Sequence, residues 1–312
     1  MKSGAADHHR IWQSVMAWRG APMALATVVE TWKSAPCPVG THMLVHKDGR
    51  FTGSVSGGCV EGDILEVAAQ VIADNSFAIR RYGVADGSAW EVGLPCGGDI
   101  VVLVQNVAPD FFPGQLFGTI IDAQAARREL SIATDLATGQ SRIAGDVTDG
   151  LFINIYSPPR RLIIVGAVEI ASALSDIARS MGIQVTLVDP RARFLTEERF
   201  PGTTLDDRWP DEAIAALAPD ARTAVVTLSH DPKIDDPALA AALASDAAYV
   251  AALGSKASHA KRIERLAAVG VSADKLARIE GPAGVAINAI SAPEIALSIA
   301  GGMVRAFNDG QR

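Results

Sequence analysis

Two cysteines in glycine-rich settings are the residues of this 312-residue chain best suited to chemistry. Cys59 lies in "GGCVEGD" and Cys96 in "PCGGD", so each thiol has a glycine pair beside it and an acid nearby. Glycine lets the backbone approach a ligand closely, and a thiolate binds a soft metal or carries sulfur. We therefore predict that Cys59 and Cys96 either contact a soft metal or carry a sulfur atom. The candidate cofactor-binding residues around them are Gly57, Gly58, Cys59, Glu61, Cys96, Gly97 and Gly98.

Simpler interpretations exist for the same residues. A free cysteine is most often a small buried hydrophobe, although the repeated glycine setting weakens that interpretation here. Cys37, between two prolines, lacks such a setting and is interpreted as incidental. Zinc is a poor explanation because no Cys-x-x-Cys pair or spaced His/Cys set is present. Glu61 and Asp63 are better explained as first-turn acids that stabilise a helix start than as ligands.

The composition indicates a globular protein and excludes several classes of partner. The chain is 49% hydrophobic and 20% charged with a net charge of −7, which argues against nucleic acid or an anionic membrane as a partner. The sequence contains no run of 18 apolar residues, so we predict no membrane span, and the N-terminus has no apolar signal region. Three widely spaced cysteines fit a reducing compartment, so we expect a cytoplasmic protein.

The elements that position these residues predict two domains. Residues 1–157 mix strands, hairpins and a few helices, which is an α+β pattern, and place Cys59 where a strand ends and a helix begins. A linker, "YSPPRR", follows. Residues 158–312 alternate strand and helix regularly, which predicts a Rossmann-like, doubly wound parallel sheet. The fold class is therefore α/β, with an N-terminal α+β domain and a C-terminal Rossmann-like domain.

The second domain carries part of a dinucleotide fingerprint. Gly166 lies between a strand and a helix, and Asp189 follows the next strand at close to the ~20-residue spacing of an acid that binds ribose. Val168, however, takes the place of the second glycine and would crowd a pyrophosphate. A nucleotide site and a fold kept only as a scaffold remain alternatives, so NAD(P) is doubtful. His230 and Lys256 also follow strands, at the edge where such sheets bind ligands.

The chain also resembles the xanthine dehydrogenase accessory family, XdhC/CoxI. The resemblance runs in order from about Thr27 to Val304 through six blocks: "SAPCPVGTHMLVHKDGRFTGSVSGGCVEGDI", "GLPCGGDIVVLV", "VTLVDPRARFLTEERFPG", "TLSHDPKIDDPAL", "YVAALGSKASHAKRIERLAAVG" and "PAGVAINAISAPEIALSIAGGMV". Val168 and Glu169 depart from the G-x-G-H-x-A form of many members, and Cys37 stands where an arginine is expected.

The resemblance implies a chaperone that binds molybdenum cofactor, supports exchange of its terminal oxo ligand for sulfur, and inserts it into an apo-molybdenum hydroxylase. The implied clients are a xanthine dehydrogenase or a carbon monoxide dehydrogenase, a cysteine desulfurase is the implied sulfur donor, and a homodimer is implied. Carried over, Cys59 and Cys96 are the best candidates for handling the cofactor. We expect such a chaperone rather than a turnover enzyme. The alternatives are an NAD(P)-dependent oxidoreductase with His230 as acid–base group, and a module that binds only a protein partner.

Overall fold

A computed structural model describes residues 9–33, 35, 37–83, 98–146 and 148–309. Cys96 and Gly97, two of the predicted site residues, lie outside these ranges. The chain forms two compact units, Met1–Pro158 and Pro159–Arg312. Within the described ranges, no helix has both the length and the apolar character needed to cross a membrane.

The first unit is built on an antiparallel sheet with the strand order β3-β2-β1-β5-β4. Its strands are β1 (Met23–Trp32), β2 (His42–His46), β3 (Phe51–Gly53), β4 (Phe77–Tyr82) and β5 (Asp99–Asn106). Helix α2 (Glu61–Asp74) packs on one face, because Ile64, Val67 and Val71 recur at helical spacing and are buried against the sheet. The glycine-rich turn that carries Cys59 therefore leads directly into a firmly packed helix.

A smaller antiparallel sheet, of order β7-β6-β8, and two further helices complete this unit. The elements are β6 (Leu130–Asp135), β7 (Gln140–Ile143), β8 (Phe152–Tyr156), α1 (His9–Ala17) and α3 (Gln115–Ala125). A buried histidine joins the two sheets: His42 Nδ1 lies 2.9 Å from Thr27 Oγ1, and its Nε2 lies 2.8 Å from the hydroxyl of Tyr156. The cores of the two sheets are thereby tied together by a polar contact as well as by apolar packing.

The second unit is a parallel sheet covered by helices, as predicted. Its strands are β9 (Arg161–Val165), β10 (Gln184–Val188), β11 (Thr204–Asp206), β12 (Thr223–Thr227), β13 (Tyr249–Ala252) and β14 (Ile279–Glu280), in the order β11-β10-β9-β12-β13-β14. Numbered from β9, this is the 3-2-1-4-5-6 order of a Rossmann fold, and the order reverses between β9 and β12. The α/β fold class with an α+β first part and a Rossmann-like second part is confirmed.

Helices cover both faces of the parallel sheet. They are α4 (Glu169–Ser180), α5 (Pro210–Leu217), α6 (Pro232–Ala244), α7 (Lys256–Ala268), α8 (Ala273–Leu276) and α9 (Ala292–Asp309). Helices α4 and α9 contribute to one apolar cluster, and α5, α6 and α7 to the other. Helix α6 starts at Pro232 because Asp231 caps it and proline is well suited to the first helical position.

Candidate functional site

The turn that carries Cys59 is organised around the carboxylate of Glu61. Oε1 accepts from the backbone N–H of Val55 at 3.1 Å and of Ser56 at 2.9 Å, and from the hydroxyl of Ser54. Oε2 accepts from the hydroxyl of Ser56 at 2.6 Å and from the N–H of Gly58 at 2.8 Å. Residues 54–58 thus wrap around one side chain, which is only 8% exposed.

Two serine hydroxyls use most of the remaining backbone donors of the turn. Ser54 Oγ accepts from Gly57 N–H at 2.7 Å, and Ser56 Oγ accepts from the N–H groups of Cys59 at 2.9 Å and Val60 at 3.0 Å. Glycine-rich loops can offer free amide N–H groups to an anionic ligand. In this loop, the N–H groups of residues 55–60 are instead used internally.

Hydrogen bonding outweighs burial in the electrostatics of Glu61. Burial alone would raise the pKa of this carboxyl group, but the donors from Ser54 and Ser56 lower its pKa to about 2. A full negative charge therefore lies under the turn at neutral pH. The half-buried thiol of Cys37 lies 3.9 Å from the carbonyl oxygen of Ser54, and its pKa is raised by burial and by the charge of Glu61. Cys37, interpreted as incidental from its sequence setting, contacts the Cys59 turn.

The outer surface of the turn presents a thiol and open space. Cys59 is exposed and lies two residues before the first residue of α2. Gly57 and Gly58 have φ values of +75° and +115°, and a Cβ added at either would meet nothing within 4 Å. A ligand can therefore rest on the glycine pair beside the thiol. A single soft ligand next to an open face binds a metal less firmly than a complete ligand set does.

Among the residues that the structure describes, no group of three or more His, Cys, Asp or Glu side chains can hold a metal ion. Gly98, another predicted residue of the second cysteine loop, is buried and directly precedes β5. The described side chains thus offer Cys59 as a solitary soft ligand rather than as part of a closed metal site.

In the second unit, Gly166 lies at the reversal point of the sheet. Its φ is +108°, and a Cβ added there would lie 2.8 Å from the backbone nitrogen of Ser229, which follows β12. The glycine is therefore required both by its backbone conformation and by a close approach of two chain segments. Val168, at the N-cap of α4, has an extended backbone and makes no side-chain cap.

The predicted ribose ligand, Asp189, is fully buried and already has partners. Oδ2 accepts from Ala167 N–H and from Arg191 Nη2, each at 2.8 Å, and Oδ1 accepts from the backbone N–H and Nε of Arg191, each at 2.9 Å. These bonds lower the pKa of Asp189 against the opposing effect of burial. The carboxylate links the glycine turn to Arg191, and a ribose hydroxyl would have to displace one of these donors.

His230 and Lys256 lie at the same edge of the sheet as Gly166 and Asp189, after β12 and β13 respectively. His230 is exposed and has a positive φ of 63°, so the backbone turns sharply there. Lys256 is the first residue of α7, whose N-cap Ser255 accepts from Ser258 N–H at 3.1 Å. The structure thus brings these four residues to one sheet edge, while Cys59 and the glycine pair lie in the other unit.

Two buried charged residues near this edge were missed by the sequence analysis. Asp235 is 2% exposed and accepts from the hydroxyl of Ser229 at 2.7 Å, and burial raises its pKa. Arg262 is 5% exposed, donates from Nη2 to Leu253 O at 2.8 Å, and has no hydrogen-bond partner for Nε or Nη1 within the described ranges. Nothing in their spacing distinguishes them from the exposed charges that surround them in the sequence.

Comparison with known proteins places this architecture in a family. Residues 17–83 match the model of the XdhC and CoxI family, and residues 162–303 match that of the XdhC Rossmann domain. The chain is 29% identical over 295 residues to the molybdenum cofactor insertion chaperone PaoD of Escherichia coli (strain K12), covering 92% of this chain and 83% of that protein.

Two further proteins are similar to this chain over most of its length. The chain is 24% identical over 304 residues to a protein of Bacillus subtilis (strain 168) named as a probable xanthine dehydrogenase subunit, covering 88% of this chain and 90% of that protein. A crystal structure of a xanthine dehydrogenase from Bacillus halodurans has the same fold, with a TM-score of 0.81 and 23% identity over 96% of this chain and 95% of that one. The two matched regions establish that the chain belongs to the XdhC and CoxI family.

Proposed function

We propose that this protein binds molybdenum cofactor and inserts it into a xanthine dehydrogenase-type molybdenum hydroxylase. The relatives named above support a role in maturation of the cofactor. The observation that carries the proposal is the Cys59 turn, where an exposed thiol adjoins an open glycine pair. The Glu61 carboxylate holds this turn in place without occupying its outer face.

In this proposal the cofactor is cargo. Cys59 contacts it from one side, and the second cysteine loop, with Cys96, is the other predicted contact. A cysteine desulfurase would carry the sulfur as a persulfide, and attack of a second thiol on that persulfide would form a disulfide and release sulfide. The sulfide would replace the terminal oxo ligand, which leaves as water, so the thiol and not molybdenum supplies the two electrons. The protein holds and orients the cofactor during this step and then transfers it to the apo-hydroxylase. The same proposal includes two further parts. The protein is a homodimer, and its client is an enzyme of the xanthine dehydrogenase or carbon monoxide dehydrogenase type.

The alternative, an NAD(P)-dependent oxidoreductase, has one structural point in its favour. The 3-2-1-4-5-6 strand order and the tight Gly166 turn are features of dinucleotide-binding folds. Against it, the Asp189 carboxylate is engaged by Arg191 and by Ala167 N–H. We therefore favour the chaperone function over the oxidoreductase.

The test is binding of molybdenum cofactor released from a molybdoenzyme to the full chain, measured by molybdenum content and absorbance. We expect the parent chain to retain the cofactor and Cys59→Ala to lose most of it. Cys37→Ala is the matched control, because its thiol is half-buried, and it should retain the cofactor. In parallel, NAD and NADP are added in a thermal unfolding experiment, since a ligand that binds only the folded state raises Tm.

The outcomes separate the two functions. Retention of cofactor by the parent without a Tm shift from NAD or NADP supports the chaperone. A parent chain that binds no cofactor but is stabilised strongly by NADP overturns the proposal in favour of the oxidoreductase. If the parent binds cofactor and both Cys59→Ala and Cys96→Ala bind it equally well, the role given to the thiols is overturned.

A further inference from the structure

A cavity of about 520 Å³ lies in the first unit, at the end of the five-stranded sheet. Its lining includes Trp32, Lys33, Arg81, Gly83, Asp99 and Val101. These residues come from the end of β1, the end of β4 and the start of β5, which are neighbours in the sheet. The volume is within the usual range for a pocket that binds a small organic molecule.

The strand register fixes which side chains share this pocket. Trp32 is paired with Asp99, and Arg81 is paired with Val101. Residues directly opposite each other in antiparallel strands point to the same face, as do alternate residues of one strand. Trp32, Asp99, Val101 and Arg81 therefore all project from one face, which is the face opposite helix α2.

Gly83 keeps part of this face open. A Cβ at this position would lie within contact distance of Asp99 Oδ1, well inside normal separation. The absence of a side chain thus leaves the Asp99 carboxylate at the wall of the pocket. On the other side, Trp32 is 47% exposed, which is unusual for a residue of this size at the end of a central strand.

Two positively charged side chains line the pocket, although the net charge of the chain is −7. Lys33 and Arg81 are both exposed, and within the described ranges neither forms an ion pair with a carboxylate. Arg80, the neighbour of Arg81 in β4, points to the other face and lies 4.0 Å from Asp63. The pocket therefore combines an aromatic surface, a carboxylate and two cations. Asp99 and Arg81 are diagonal neighbours on one face of two paired strands, a relationship that spaces residues about 7–8 Å apart.

We propose that this pocket binds the pterin end of the molybdenum cofactor, recognising a fused 2-amino-4-oxopyrimidine ring system that carries a phosphate. The proposal rests on the function proposed above and adds a second site of contact with the same cargo. Each part of the ligand has a matching group in the pocket: a flat ring, an N–H-rich edge and an anion.

The indole of Trp32 stacks on the ring, since aromatic surfaces prefer offset stacking with one another. The Asp99 carboxylate accepts from the ring N–H and the 2-amino group; a carboxylate has about four acceptor positions, so it can do so in addition to other bonds. Arg81 and Lys33 pair with the phosphate, for which the planar guanidinium is geometrically suited. Because Asp99 repels the phosphate, the ligand can lie in the pocket in only one direction.

Guanine carries the same aminopyrimidinone edge as a pterin, so an experiment must distinguish a pterin ligand from a guanine nucleotide. The full chain is titrated into pterin-6-carboxylate, whose own fluorescence should be quenched when it stacks on an indole, with GMP and AMP as competitors. We expect GMP to compete, because it carries the same edge and a phosphate, and AMP not to compete, because adenine lacks the donor pair for Asp99. Tighter binding of GMP than of the pterin would overturn the assignment to a pterin, and equal competition by AMP would overturn the role of Asp99.

Three variants test the residues, each with a control. Trp32→Ala should weaken pterin binding about tenfold, whereas Trp209→Ala, which removes another exposed tryptophan, should not. Arg81→Gln should weaken binding of anionic pterin, whereas Arg80→Gln on the opposite face should not. Asp99→Asn should abolish the preference for the aminopyrimidinone edge. If Asp99→Asn folds poorly, Trp32→Ala still tests the site, because Trp32 is half exposed and its replacement should not disturb folding. Unchanged pterin binding in Trp32→Ala and Arg81→Gln overturns the proposal.

The same variants distinguish this proposal from the proposed function. If the parent and all pocket variants bind intact molybdenum cofactor equally, the chaperone function stands and this pocket is not its pterin site. If the parent binds pterin in a Trp32-dependent manner but binds no intact cofactor, the pocket assignment stands and the chaperone function fails. Loss of cofactor in both Trp32→Ala and Cys59→Ala supports contact with the cargo at both places.

Discussion

The hydroxyl group of Ser56 connects Glu61 to the backbone of Cys59. It donates to Glu61 Oε2 at 2.6 Å and accepts from Cys59 N–H at 2.9 Å. The position of the exposed thiol is therefore determined by two side chains, neither of which needs to contact the sulfur. Changes at Ser56 or Glu61 should accordingly alter the site without changing its reactive group.

Replacing Glu61 with glutamine should destabilise the protein substantially at neutral pH. The amide nitrogen cannot accept the bonds that reach Oε2, so buried N–H groups of the turn lose their acceptor. The lowered pKa of Glu61 corresponds to roughly 3 kcal/mol of unfolding free energy at pH 7. Urea denaturation of Glu61→Gln and of Glu66→Gln, an exposed acid of the same helix, measures the difference; equal stability of the two variants would contradict this role.

The contribution of Glu61 should depend on pH in a defined direction. Its pKa falls from 4.5 to about 2 in the folded protein, so the stabilisation is complete above about pH 4.5 and is lost as the pH falls towards 2. The stability difference between the parent and Glu61→Gln should therefore shrink between pH 5 and pH 2. Denaturation curves collected across this range test the prediction, and a difference that stays constant with pH would refute it.

The pH dependence of stability due to Asp235 should have the opposite sign to that due to Glu61. Burial raises its pKa, so its charged form is disfavoured in the folded state and costs stability as the pH rises through the folded pKa. Asp235→Asn keeps an acceptor for Ser229 and should stabilise the protein at pH 7, on the order of 1 kcal/mol, with little effect at low pH. Thermal unfolding of Asp235→Asn at pH 7 and at low pH, with the exposed Asp246→Asn as control, tests this prediction. A destabilised Asp235→Asn at pH 7 would be incompatible with it.

Gly166→Ala should unfold the second unit more readily than a comparable change elsewhere. Both Gly166 and Gly270 have positive φ values, but only at Gly166 would the added Cβ collide with backbone, 2.8 Å from Ser229 N. We expect a loss of about 3 kcal/mol or more for Gly166→Ala and about 1–2 kcal/mol for Gly270→Ala. Similar urea midpoints for the two variants would show that the contact with Ser229 can relax.

The two described cysteines should differ in reactivity. Cys59 is exposed, whereas Cys37 is half-buried and its pKa is raised by burial and by Glu61, so less of it is thiolate at pH 8. Iodoacetamide should therefore modify Cys59 first, as measured by mass spectrometry of peptides taken at successive times. Glu61→Gln removes one cause of the raised pKa and should accelerate labelling of Cys37; faster labelling of Cys37 than of Cys59 in the parent would contradict the arrangement.

Elements with strong local signals could be predicted from the sequence closely. Strand β1 (23–32) carries a long apolar run, and helix α7 (256–268) is bounded by Ser255 before its start and Gly270 after its end, so both can be located from the sequence. Strands β11 and β14 carry no such local signal. They contain three and two residues, too few for any pattern, and depend on pairing with neighbours in the sheet.

The candidate site was predictable in position but not in contacts. The sequence places Asp189 at the end of a strand and Glu61 in the first turn of a helix, and both are found there. Whether a carboxylate faces a ligand or a neighbouring side chain depends on rotamers that spacing does not determine, and Asp189 turns to Arg191. The contact of Cys37 with the Cys59 turn joins segments far apart in the sequence, so no local pattern could indicate it.

The internal hydrogen bonding of the Cys59 turn has a kinetic consequence. Because Glu61, Ser54 and Ser56 already fix the backbone of residues 55–60, docking of a cargo requires no ordering of this segment and incurs little loss of conformational entropy there. Under the proposed chaperone function, this segment would keep its shape when the cargo leaves, and loading and unloading would proceed at rates set by encounter and dissociation.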